Sequence, residues 1–314
     1  MRVVVALGGN ALLRRDEPAE AEVQRRNIAV AVPALAELAR AHELVVTHGN
    51  GPQVGLLALE AEAYRAVRPY PLDVLGAESE GMIGYLLEQG LGNVLPGRRA
   101  ATLLTQVIVD ADDPAFGAPS KPVGPVYTKG HAQRLARERG WTIAPDGERW
   151  RRVVPSPEPR RIVELEAIRI LVEAGVIVIC VGGGGVPVIE ASGGLRGVEA
   201  VIDKDRSAAL LARELGAEAL LLLTDVAAIE AEHGTPTARP LARVTAAELA
   251  VLGLPSGSMG PKAEAAATFV RETGGLAGIG ALPDAAAILA GRAGTRVVDD
   301  RPRSDRARPV GAAA

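Results

Sequence analysis

Val3-Val4-Val5-Ala6-Leu7-Gly8-Gly9-Asn10 opens the chain with five apolar residues that run straight into a glycine pair. Such a run has no polar side to show to water. It predicts a strand buried on both faces, as in a parallel sheet covered by helices. The glycines let the backbone turn and leave its N–H groups open to close approach. The same order recurs downstream. Leu44-Val45-Val46-Thr47 leads into His48-Gly49-Asn50-Gly51, residues 176–181 into four glycines at 182–185, and residues 220–224 into Asp225. A further strand is predicted over 276–281. Between them Ile28, Val32, Leu35 and Leu38 recur at helical spacing. Helices are also predicted over 53–64 and 285–290, the latter with Asp284 as N-cap and Gly291 just past its end. Strands alternating with helices imply right-handed crossovers and an α/β fold with helices on both faces of a parallel sheet. Ligands of such sheets sit beyond the carboxyl ends of the strands, where these glycine loops fall.

The 314 residues fit one large α/β unit or two modest lobes. Hydrophobic residues make up 48% and charged residues 23%, which excludes wholesale disorder. A net charge of −3 and 3% aromatics argue against a nucleic-acid surface. The apolar stretch 174–189 is too short to span a bilayer and contains the four glycines. The start is broken by Gly8-Gly9-Asn10 and followed by Arg14-Arg15-Asp16, so it does not read as a signal peptide. A single cysteine, Cys180, excludes an internal disulfide; a cytoplasmic protein is expected.

Of the 35 Lys and Arg residues only four are lysines: Lys121, Lys129, Lys204 and Lys262. Arginine serves as well on a solvated face. At a phosphate the two differ, because lysine is a compact point charge and arginine a planar fork. Lysines retained against such a bias are candidates for an anion site. Lys121, Lys204 and Lys262 lie in the loops Ser120-Lys121-Pro122, Asp203-Lys204-Asp205 and Gly260-Pro261-Lys262, whereas Lys129 reads as solvated. Residues 110–159 are rich in Pro, Asp, Gly and Arg, yet hold Tyr127 and both tryptophans. They predict an inserted lid subdomain rather than a plain loop.

The chain carries neither the Walker A spacing nor G-x-G-x-x-G after a strand, which excludes a P-loop and a dinucleotide fingerprint. Phosphoryl transfer without a P-loop needs positive charge gathered from separate segments and held by a carboxylate. Asp203-Lys204-Asp205 offers that pairing. His48 has no spaced partner for zinc, and Cys180, inside a strand, reads as core.

As a set these motifs resemble the carbamate kinases of the amino-acid-kinase family. The resemblance rests on residues 6–12, 47–54 and 82–85, on Ser120-Lys-Pro-Val-Gly-Pro125 and on residues 150–157. It continues through 182–187, Gly197-Val-Glu-Ala-Val-Ile-Asp-Lys-Asp205 and Gly257-Ser-Met-Gly-Pro-Lys262. It implies reversible phosphoryl transfer between ATP and carbamate, giving ADP and carbamoyl phosphate, with Mg²⁺ and without a covalent intermediate. It further implies a three-layer α/β/α sandwich with a small protruding lid, and a homodimer. Residues 1–175 would form the acceptor lobe with the lid at about 110–159, residues 176–300 the nucleotide lobe, and 301–314 a frayed tail. By the same resemblance Gly8, Gly9, Asn10, Gly49 and Asn50 would bind carbamate and the migrating phosphoryl group. Lys204 and Lys262 would stabilise it, Asp205 would orient them, and Lys121 would reach in from the lid. Gly183, Thr224, Asp225, Met259 and Gly260 would lie along the nucleotide. No protein-bound metal is implied. The chain departs from the family pattern after Asp225, where it reads Val226-Ala-Ala-Ile-Glu-Ala-Glu-His233, and at Lys129-Gly130-His131. A kinase of another small carboxylate, or a non-catalytic nucleotide-binding protein on the same scaffold, stand as the other readings.

Overall fold

The computed structural model describes residues 1–9, 12–14, 17–64, 66–254 and 259–300. An eight-stranded sheet runs in the order Arg243–Thr245, Thr295–Val298, Leu276–Ala281, Ala219–Thr224, Arg2–Leu7, Glu43–His48, Ile177–Ile179 and Ala100–Thr102. Arg2–Leu7 lies inside it, parallel to both neighbours, with Val5 opposite Leu221 on one side and Val46 on the other. Residues 3–7 are fully buried, which is why that run contains no polar residue. Thr295–Val298 runs antiparallel to Leu276–Ala281, and Arg243–Thr245 follows it.

Alternation along the first strand divides two cores. Val3, Val5 and Leu7 pack with Ile28, Leu35 and Leu87 from the helices Ala21–Ala41 and Leu72–Val94. Val4 and Ala6 belong to the opposite core, with Leu211, Ala266 and Phe269 from the helices Lys204–Glu214 and Met259–Thr273. The result is the three-layer α/β/α sandwich around a mostly parallel sheet. The loops at the carboxyl ends of Arg2–Leu7, Glu43–His48 and Ala219–Thr224 meet at one edge because these strands are neighbours running the same way.

The segment 110–159 is built, not loose. Strands Lys121–Tyr127, Thr142–Asp146 and Arg149–Val154 form a separate antiparallel sheet covered by the helix Lys129–Arg139. Its root is antiparallel too: Gln106–Val109 pairs with Pro159–Ile162. A small apolar cluster is supplemented by guanidinium–ring stacking, with Arg139 and Arg152 about 5 Å from the Trp141 ring centre. This explains why so polar a stretch needs aromatic residues.

Some boundaries differ from the sequence expectation. The strand predicted over 176–181 spans Ile177–Ile179, because Val181 takes a left-handed backbone (φ 53°) and turns the chain. Asp284 ends a 3₁₀ turn over Leu282–Asp284, and its side chain makes no capping hydrogen bond to the helix Ala285–Leu289. Gly291 does close that helix, with φ 71° and its N–H donating to Ile288 O. The tail 301–314 and Asn10 lie outside the described residues. Among the described residues no helix is long and apolar enough to cross a membrane. Cys180 is buried, and burial, followed by the nearby Glu80 carboxyl, pushes its thiol well up; it is a core residue.

Candidate active site

Gly8 and Gly49 follow the ends of adjacent strands, and Gly49 stands against Gly9. The Gly8 N–H donates to Leu223 O and the Gly49 N–H to Leu7 O, so each glycine continues the sheet by one bond before turning away. A methyl group on Gly49 would stand 3.1 Å from Gly9 N and 3.2 Å from Lys204 Cδ. Absence of that methyl lets two loops and a lysine stem close on one another.

Asn50 precedes the helix Gly51–Ala63 but does not cap it. Its amide donates to Ser79 Oγ at 2.8 Å and stands against Gly183, where a Cβ would lie 2.1 Å from Asn50 Nδ2. Gly183 therefore sits beside the Gly49-Asn50 loop. Gly182 and Gly184 likewise make room for protein: added Cβ atoms would lie 2.5 Å from His48 and 2.5 Å from Ile202 O. His48 is 1% exposed, and burial lowers its pKa to about 4, so the imidazole is neutral near pH 7.

The lysines arrive from three elements. Lys204 begins the helix Lys204–Glu214, Lys262 lies in the first turn of Met259–Thr273, and Lys121 opens the first lid strand. Asp205, 3% exposed, bridges two of them: Oδ1 accepts from Lys204 Nζ and Oδ2 from Lys262 Nζ at 3.2 Å. Burial lowers the Lys204 ammonium to about 8; the Asp205 carboxylate opposes that shift and Lys262 adds to it. Lys121 does not touch Asp205, since its ammonium rests on Asp203 Oδ2.

These groups line one cleft of about 570 Å³, together with Gly8, Gly9, Gly49, Asn50, Gly183, Thr224 and Asp225. Thr224 Oγ1 donates to Asp225 Oδ1 at 3.0 Å at the carboxyl end of its strand. Pro261 reaches the lining, whereas Met259 and Gly260, the two residues before it, do not, and Met259 packs on the core. The helices Gly51–Ala63, Lys204–Glu214 and Met259–Thr273 all begin at this cleft. Their N-terminal dipoles add to the three ammonium groups in favouring an anion. Among the described residues, no three His, Cys, Asp or Glu side chains are gathered to hold a metal ion.

Ser79 and Asp203 also belong to this constellation, although the sequence motifs assign neither a place in the site. Nothing in the sequence marks Ser79 among other serines. Asp203 was visible within Asp203-Lys204-Asp205, but only the lid's position shows which carboxylate takes Lys121.

The fold and site together define a phosphotransferase of the amino-acid-kinase class. The profile of the amino acid kinase family matches residues 1–278. Carbamate kinase from Haemophilus influenzae is 54% identical over 299 residues, covering 95% of this chain and 96% of the relative. That of Escherichia coli K12 is 52% identical over 293 residues, covering 93% and 98%. Among solved structures, carbamate kinase from Giardia lamblia bound to AMP-PNP superposes with a TM-score of 0.86 at 39% identity, covering 95% of this chain and 98% of that one. The chain belongs to the amino acid kinase family and, within it, to the carbamate kinases, which are ATP-dependent phosphotransferases.

Proposed function

We propose that this protein moves a phosphoryl group between ATP and carbamate, in both directions, by charge placement alone. The bridging of Lys204 and Lys262 by Asp205 opposite the Gly8-Gly9 and Gly49-Asn50 loops carries this reading. A carbamate oxygen attacks the γ-phosphorus as the bond to the β–γ bridging oxygen breaks, so the PO₃ unit passes directly from one oxygen to the other. Its equatorial oxygens carry the charge, and two ammonium groups fixed on one carboxylate meet them without reorganising. Loop N–H groups and the start of the helix Gly51–Ala63 face the acceptor; Lys121 covers it from the lid. Asn10 keeps its expected acceptor role here on resemblance alone. Thr224 and Asp225 take the nucleotide side, with Met259 and Gly260 behind Pro261 and Lys262. Mg²⁺ enters as part of the nucleotide substrate. The acceptor lobe corresponds to residues 1–175 and the nucleotide lobe to 176–300. The chain pairs as a cytoplasmic homodimer through the groove of about 730 Å³ along the helix Leu72–Val94 and the edge strand Ala100–Thr102, where Tyr85 and Leu104 are exposed.

The direct test is ATP formation from carbamoyl phosphate and MgADP. Wild-type protein should turn over, and Lys121→Ala, Lys204→Ala and Lys262→Ala should each lose about 10²–10³-fold in kcat. A folded wild type with no turnover would refute the proposal.

Lys204 also sets a pH dependence with two opposite signs. If its charge is needed, kcat/KM falls as pH rises through about 8. Stability moves the other way. The folded chain releases this proton near pH 8 while the unfolded chain holds it up to 10.5, so unfolding takes up a proton in that window. The Lys204 contribution to stability therefore rises with pH from about 8 to 10.5. Lys204→Met should lack that rise, so the wild-type melting profile should gain on the variant's between about pH 8 and 10.5. Parallel profiles for the two would contradict the assignment.

A further inference from the structure

Asp203 has two carboxylate oxygens engaged in different tasks. Oδ1 accepts from the backbone N–H of Asp205 at 2.9 Å and of Arg206 at 3.4 Å, capping the helix that carries Lys204 and Asp205. Oδ2 holds the Lys121 ammonium, 82 residues away in sequence and on the lid. On its other side the lid rests on the helix Gly51–Ala63, through the Gly55–Gly124 contact and the Arg139–Glu62 ion pair. Asp203 thus ties the lid to the opposite wall of the cleft.

We propose that Asp203 is a positioning residue that latches the lid: it fixes Lys121 relative to Lys204 through one carboxyl group built into the helix start. Charge accounting supports the assignment. Three ammonium groups converge on a cleft that is partly shielded from water, and Asp205 is shared by two of them. Without Asp203 the third would repel the pair, and the lid bearing it would lift. With Asp203 each lysine has a counter-charge before substrate arrives. An incoming polyanion then takes a share of Lys121 while the capped end of the helix keeps the carboxylate in place. Burial raises the Asp203 carboxyl, but Lys121, then Lys204 and the Asp205 N–H, outweigh it and hold the group well below the usual carboxylate range. The latch is charged throughout the neutral range.

This inference deepens the role given to Lys121 above and rests on it for kinetics only, because the lid carries its own reporter. Both tryptophans, Trp141 and Trp150, lie in the lid, and Trp141 faces Val54, Gly55 and Leu59 of the helix beneath it across a narrow gap. Acrylamide quenching of tryptophan fluorescence therefore reads lid position without any turnover.

Asp203→Asn keeps an oxygen that caps the helix and loses the charge that holds Lys121. It should raise quenching as Lys121→Ala does. The double variant Asp203→Asn/Lys121→Ala should show no further rise, since both changes break one contact. Its kcat should fall about 10²-fold, with a melting temperature within about 2 °C of wild type. Asp203→Ser, which caps but cannot reach Lys121, should behave the same way and serves if the asparagine variant folds poorly. Asp203→Ala should add a loss of about 2–4 °C from the missing cap. Wild-type quenching in both capped variants, or effects of Asp203→Asn and Lys121→Ala that add, would overturn the latch. A protein inactive in the carbamoyl phosphate assay would leave the quenching result decisive.

Discussion

Asparagine at position 205 is expected to lower kcat about 10³-fold and to cost about 3–5 kcal/mol of stability. Both effects come from the bridge. Asp205 is 3% exposed, and each of its oxygens faces a different buried ammonium, with Lys204 and Lys262 9% and 8% exposed. The asparagine amide has one oxygen to offer. Its NH₂ would point donor to donor at the second lysine, leaving two like charges a few ångströms apart with little water to screen them. They must separate or shed a proton, and in either case the pair no longer presents two preset cations to a phosphoryl group. An anionic ligand supplies the missing charge. Addition of MgATP or pyrophosphate should therefore raise the melting temperature more in Asp205→Asn than in wild type, by linkage. Thermal scans with and without ligand, beside steady-state kinetics, check this. A variant that keeps its melting temperature and more than a tenth of its kcat would show that the bridge neither stabilises the fold nor prepares the site.

Legibility in the sequence followed burial. Residues 3–7 could be read because a strand covered on both faces carries an unbroken apolar signal, and the layer architecture follows from it. The four-stranded sheet of Gly194–Gly197, Val186–Ala191, Gln106–Val109 and Pro159–Ile162 gave no such signal. Its strands are short and partly exposed, and the parallel pairing of Val107 with Pro187 joins residues 80 apart. The lysines stood out because arginine has displaced lysine nearly everywhere else. The glycine run 182–185 was legible as a turn, while its reason was not: at Gly182 and Gly184 the missing side chain admits His48 and Ile202 rather than a ligand. Which aspartate holds which lysine depends on where a subdomain folded from 121–154 comes to rest, and no local pattern encodes that.

Alanine at Gly55 should slow the enzyme and lower its melting temperature, because the methyl group it adds to the helix meets the backbone of the lid. Gly55 lies within Gly51–Ala63, where alanine is favoured over glycine by roughly 0.5–1 kcal/mol. An added Cβ, however, would stand 2.0 Å from Gly124 Cα and 2.3 Å from Gly124 N. The obstruction is backbone against backbone, so no rotamer change relieves it. Restoring an ordinary carbon–carbon separation of about 3.5 Å requires the lid strand to rise by roughly 1.5 Å. Lys121 is three residues earlier on that strand, so its ammonium rises with it, away from Asp203 and from the site. A displacement of this size in a group that positions reactants costs about 10²-fold in kcat/KM. Overpacking against backbone costs about 1–3 kcal/mol and outweighs the helix gain, so the expected result is an enzyme that melts about 2–4 °C lower and is about a hundred times slower, with its tryptophans more open to acrylamide. Wild-type kinetics in a folded Gly55→Ala protein would mean that the Gly55–Gly124 contact does not set the height of the lid, and that Lys121 is placed by some other means.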